Sequence, residues 1–86
     1  MNLKNCYEGK IMEYTILIHK AEDGEFWAEV PALPGCFSQG ETIGETIANT
    51  KEAIESHISC LREDGEEIPA DNNFIISRVR VEKVAV

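Results

Sequence analysis

The sequence predicts an α+β domain: an antiparallel-rich β-sheet of three to four strands with one main α-helix packed on one face. Three observations carry that expectation. Two runs on either side of an Asp-Gly pair alternate with period two, a later stretch repeats isoleucine at helical spacing, and a Val-rich run near the carboxyl terminus has the composition of a strand. The order is strand, strand, short strand, helix, strand.

From Met12 to Lys20, Met12, Tyr14, Ile16 and Ile18 alternate with Glu13, Thr15, Leu17 and His19, which is strand patterning rich in β-branched and aromatic residues. Asp23 and Gly24 supply a hairpin turn. Phe26, Ala28 and Val30 then share one face, with Trp27 and Glu29 on the other. Pro31 and Pro34 remove two backbone donors and Gly35 permits an unusual backbone angle, so the second strand stops near Val30 and the chain turns. A short third strand is expected at Cys36 to Gln39. Gly40 breaks it, and Thr42 followed by Glu45 has the spacing of a capping box. Ile43, Ile47, Ile54, Ile58 and Leu61 fall on one stripe of the helix that follows, and Gly65 ends it. Burying that stripe offsets less than the entropy of ordering about twenty residues, so the helix must close onto the sheet. After "EEIPADNN", Phe74 to Val86 reads as a last strand. Residues 1–11 show no sustained periodicity and read as an N-terminal extension; residues 12–86 form the single domain.

Length and charge narrow the function classes. A chain of 86 residues, 43% hydrophobic, holds one modest core, and oligomerisation is an expected source of further stability. No window approaches a membrane span and no secretory signal opens the chain, which makes a cytoplasmic location the simplest expectation. Cys6, Cys36 and Cys60 are odd in number and widely spaced, and read as reduced thiols rather than a disulfide framework or zinc site. The formal net charge is -8, and from Glu41 to Glu67 only Lys51 and Arg62 interrupt the acidic residues. Such a surface repels nucleic-acid backbones and either solubilises the domain or attracts a basic partner.

The candidates for chemistry are weak. Cys36 lacks a base placed beside it, and an acidic protein opposes thiolate formation, so it reads as a small packed hydrophobe. His19, His57, Cys36 and Cys60 show no metal-ligand spacing, and His57 borders the apolar stripe of the helix. Glu13 and Glu29 approach across the hairpin only at the cost of like-charge repulsion, and read as solvated. Neither catalytic residue, cofactor nor metal is expected. Trp27, on the face opposite Phe26, Ala28 and Val30, either fills a second packed layer or anchors a partner.

The stretch "EFWAEVPALPGCFSQGETIGETIANTKEAIESHISCL" resembles the HicB family of antitoxins from bacterial and archaeal toxin–antitoxin pairs. The likeness is carried by the aromatic strand ending in Glu29 and Val30, the Pro31-Ala32-Leu33-Pro34-Gly35-Cys36 passage, Ser38-Gln39-Gly40, the Glu41-Thr42 entry, and the helix with Ala53 and Ile54. It runs from about Met12 to Ile68, and the late Val-rich run resembles the tail of short, UPF0150-like members. The resemblance implies a partial RNase H-like sheet and helix that binds a HicA toxin, a small basic RNA-cleaving protein, and masks its active surface in a homo-oligomer, either dimer or tetramer. The hairpin residues Asp23, Glu25, Trp27 and Glu29, with the acidic exterior of the helix, are the expected partner-binding surface. Many members continue into a DNA-binding module. Here a strand-like segment follows instead, and Arg78, Arg80 and Lys83 are too few to replace one, so this chain is not expected to bind DNA. Two other readings stay open: a stand-alone binding or scaffold domain without a toxin, and a degenerate RNase H-like nuclease using converging carboxylates.

Overall fold

A computed structural model describes residues 11–82; Cys6, the other residues up to Lys10, and the end of the expected last strand at Lys83–Val86 lie outside it. Three strands, β1 (Leu17–Lys20), β2 (Phe26–Glu29) and β3 (Phe37–Gly40), form one antiparallel sheet in the order β1-β2-β3, followed by α1 (Ile43–Glu63). The α+β expectation holds, with three paired strands among the described residues.

The hairpin turn forms where Asp-Gly predicts it. Gly24 has φ +91°, a value disfavoured for residues with a Cβ, and the Asp23 side chain accepts from the Glu25 amide at 2.9 Å. The register aligns Ile18 with Ala28 and Ser38, and His19 with Trp27 and Gln39, so Ile18, Phe26, Ala28, Ser38 and Gly40 share the inner face and His19, Trp27, Glu29, Phe37 and Gln39 the outer one. Pairing in β1 begins only at Leu17, later than the alternation from Met12 suggests.

The Pro-Gly passage does more than turn the chain. Leu33 and Cys36 amides donate to the Val30 and Leu33 carbonyls, each at 3.0 Å, and the Val30 amide donates back to Cys36 at 3.3 Å. This double turn drops Val30, Leu33 and Cys36 into the centre of the core, where Tyr14, Ile16, Ala53, Ile54 and Leu61 pack around them. Ile68 is buried as well. Local hydrogen bonding thus satisfies the corner's backbone while its side chains supply apolar burial.

Thr42 caps α1 as expected, its hydroxyl accepting from the Glu45 amide at 3.0 Å. Glu45 reaches back one residue further than a standard capping box, to the Glu41 amide at 2.9 Å. At the other end, the Gly65 and Glu66 amides bond to the Arg62 and Leu61 carbonyls with Gly65 at φ +70°, a Schellman termination.

Two sequence expectations need correction. The isoleucine stripe is not the buried face at the start of α1: Ile43 and Ile47 are 52% and 47% exposed, whereas Thr46 and Thr50 are fully buried. The reason is a close approach. A Cβ on Gly40 would meet the Thr46 amide nitrogen at 2.7 Å, so the first turns lie almost in contact with β3, and only short side chains fit between. The threonine hydroxyls stay satisfied in that dry interface by donating to the carbonyls of Thr42 and Thr46, four residues back. The second correction concerns the described part of the expected last strand, Phe74 to Glu82, which pairs with no strand among the described residues and is exposed from Ile75 onward.

Candidate protein-binding face

The outer face of the sheet presents Leu17 and His19 from β1, Trp27 and Glu29 from β2, and Phe37 and Gln39 from β3. Among the described residues no helix covers this side, since α1 packs against β2 and β3 through Ala28, Gly40 and the buried threonines. Trp27 is 37% and Phe37 59% exposed. Their rings are tilted neighbours, with centroids 6.3 Å apart, and the His19 ring stacks on Trp27 at 4.1 Å with an interplanar angle of 16°. The His19 Nε2 in turn meets Glu29 Oε2 at 2.7 Å. The indole is therefore held in place on one side by imidazole, with about a third of its surface open to solvent. A large aromatic ring whose position is set before contact loses little conformational freedom on binding.

One end of this stripe is acidic. Asp23 and Glu25 occupy the hairpin tip and line, with Trp27, Phe37 and Gln39, a shallow depression. Asp23 is the main reason the Glu25 carboxyl lies above its ordinary value of 4.5, through its charge and a hydrogen bond; burial, Glu41 and Glu45 add to it. Negative charges from the hairpin and the start of α1 thus gather close enough to repel one another. A cation placed there relieves that repulsion.

Of the four expected partner-binding residues, the structure brings Asp23, Glu25 and Trp27 around one depression, while Glu29 lies further along the same face and is engaged by His19. Sequence reasoning missed His19 and Phe37. His19 was legible, because counting back across the Asp-Gly turn puts it opposite Trp27; Phe37 was not, because its register depends on the length of the corner.

The other candidates for chemistry separate or lose their reactivity. Glu13 precedes the ladder, where Glu29 aligns with Leu17 instead. Cys36 borders a hollow with His57 and Cys60, yet it is buried, and burial pushes its thiol up, away from the thiolate a nucleophile requires. Among the described residues no group of three or more His, Cys, Asp or Glu is arranged to hold a metal ion, and no helix is long and apolar enough to cross a membrane.

Comparison with known proteins is consistent with this geometry. The family described as a HicB-like antitoxin of bacterial toxin-antitoxin systems matches residues 14–82. A UPF0150 protein of Thermoplasma acidophilum is 52% identical over 61 residues, which cover 71% of this chain and 88% of that protein. A UPF0150 protein of Synechocystis is 41% identical, covering 77% of this chain and 84% of its own length. The crystal structure of the N-terminal domain of the Burkholderia pseudomallei antitoxin HicB superposes with a TM-score of 0.62 at 40% identity, over 78% of this chain and 74% of that one. Against the longer HicB chain from the same organism the TM-score is 0.61, and the match spans only 48% of that chain.

Proposed function

The chain belongs to the HicB-like antitoxin family, and from that premise we propose that it binds and neutralises a cognate toxin of the HicA type, a small basic RNA-cleaving protein. The observation that carries this reading is the uncovered outer face: Trp27 clamped by His19, flanked by Phe37, and bordered by the Asp23 and Glu25 carboxylates. An acidic tip beside an apolar anchor suits a cationic nuclease surface. The carboxylates steer the encounter and take the place of RNA phosphates, while the indole and phenyl rings set the residence time. Glu29, already paired with His19, serves mainly to orient the imidazole beneath Trp27.

On this reading the chain acts in the cytoplasm as a homo-oligomer of one HicB-like domain spanning residues 12–86, contributes no bond-breaking chemistry of its own, and contacts no nucleic acid. Co-expression with a neighbouring short, basic reading frame tests it. The two proteins copurify, RNA cleavage by the toxin is suppressed, and Trp27→Ala weakens the complex by about 2 kcal/mol, roughly 30-fold. RNA cleavage by the purified chain alone, or a Trp27→Ala variant with unchanged affinity for the toxin, overturns it.

A further inference from the structure

The described chain ends in a segment that its own domain does not cover. Its root is fixed: the Tyr14 hydroxyl donates to the Pro69 carbonyl, and the Thr15 hydroxyl donates to Asp71 Oδ2 at 2.7 Å. Beyond Phe74 every described residue is exposed, with Val79 at 85% and Val81 at 67%. The segment keeps strand patterning even so. Ile75, Val79 and Val81 share one parity, while Arg78 and Arg80 share the other.

A matching acceptor lies on the same molecule. The edge of β1 away from β2 carries no partner strand among the described residues. Beneath that edge a groove of about 580 Å³ opens between the lead-in to β1 and α1, lined by Met12, Tyr14, Ile16, Ile47, Ile54 and Ile58. It is here that the displaced isoleucine stripe of α1 goes. Asp71 Oδ1, buried beside Thr15, has no hydrogen-bond partner and stands at the same edge as an unsatisfied acceptor. Lengths agree: residues 73–82 extended span about 33 Å, and Met12 to Lys20 about 30 Å. The match is one of length and apolar surface rather than charge: Lys51, which lines the groove, is already paired with Glu55 at 3.4 Å, and Glu13 is exposed beside the open edge.

We propose that two copies of the chain exchange these segments, residues 73–82 of each lying as an added strand along Met12–Lys20 of the other. Ile75, Val79 and Val81 then fill the second copy's groove, and Arg78 and Arg80, of the other parity, face away from it. The exchange rests on the homo-oligomer proposed above and supplies its contact. It leaves Trp27 and the hairpin tip free, so the toxin reading stands or falls separately.

Light scattering on the full chain, without toxin, tests the exchange. The wild type has twice the mass of one chain, and Val79→Asp combined with Val81→Asp, which alters exposed residues only, reduces it to one. Ile47→Asp, altering the groove, does the same, with circular dichroism confirming that each variant stays folded. Mixing the two variants restores a species of twofold mass, because the intact tail of one meets the intact groove of the other. If Ile47→Asp unfolds, amide hydrogen exchange decides instead: the Leu17–Lys20 amides that point away from β2 are protected in the wild type and lose that protection in the tail variant, while those bonded to β2 keep theirs. A monomeric wild type, a dimer that survives the tail substitutions, or unchanged protection at Leu17–Lys20 overturns the exchange. A tail variant that stays dimeric and still captures the toxin removes the exchange alone.

Discussion

The two faces of the sheet invert a common arrangement. The inner face carries Ala28 and Gly40, closed over by Thr46 and Thr50; the outer face carries Trp27 and Phe37, over which no other element packs among the described residues. Trp27 and Phe37 thus stand on the open side, while Phe26 and Ile18 lie on the face of Ala28. Small residues let α1 approach until backbone nearly meets backbone, and the core volume comes from the corner residues Val30, Leu33 and Cys36 instead. On the proposed function, stability and recognition fall to different side chains, and substitutions on the two sides have different readouts.

The sharpest break in that comparison is Leu33→Ala. Leu33 is fully buried, so its truncation lowers stability by about 2–5 kcal/mol, seen as a fall in the urea midpoint at unchanged slope. Gly40→Ala comes next. Its methyl meets the Thr46 amide nitrogen at 2.7 Å and Oγ1 at 2.8 Å, and because the first obstacle is backbone the helix entry must shift, costing about 1–3 kcal/mol. An unchanged midpoint in that variant shows that the close approach is not required. Phe37→Ala, on the open face, moves the midpoint by no more than about 0.5 kcal/mol while weakening toxin capture.

The smallest effect is one of pH. The Glu25 carboxyl lies above its ordinary value of 4.5 because of Asp23 first, so the folded chain takes up this proton more readily than the unfolded one. Its contribution therefore favours the fold as pH falls through the raised value toward 4.5, and is lost as pH rises. Binding behaves oppositely: a cationic partner favours the ionised carboxylate, so affinity increases with pH through the same range. Calorimetry in buffers of different ionisation enthalpy reads this as proton release on complex formation. Glu25→Gln removes it, and added salt diminishes it because the group is exposed.

Much of this architecture was legible because it depends on local chemistry. Asp23-Gly24, the parity of Phe26 to Val30, the Thr42 cap and the Gly65 stop each act within a few residues. The orientation of α1 was not legible in that way. Isoleucine spacing identifies a helix and a stripe, but which side meets the sheet was decided by a glycine in β3 and by threonines able to bond their own backbone. The run from Phe74 failed for a related reason: alternation signals a preference for pairing without naming the partner. For the candidate face, Trp27 and Glu29 followed from parity, whereas the joining of Phe37 to them required the register across the corner.

That corner has a consequence for the order in which the molecule assembles. Val30, Leu33 and Cys36 are joined by hydrogen bonds spanning three to six residues, so closing them costs far less chain entropy than docking a helix that begins only at Ile43. The corner is thus the part of the core that closes at the lowest loop-entropy cost, below that of docking α1. Proximity in sequence lets this short chain begin folding early.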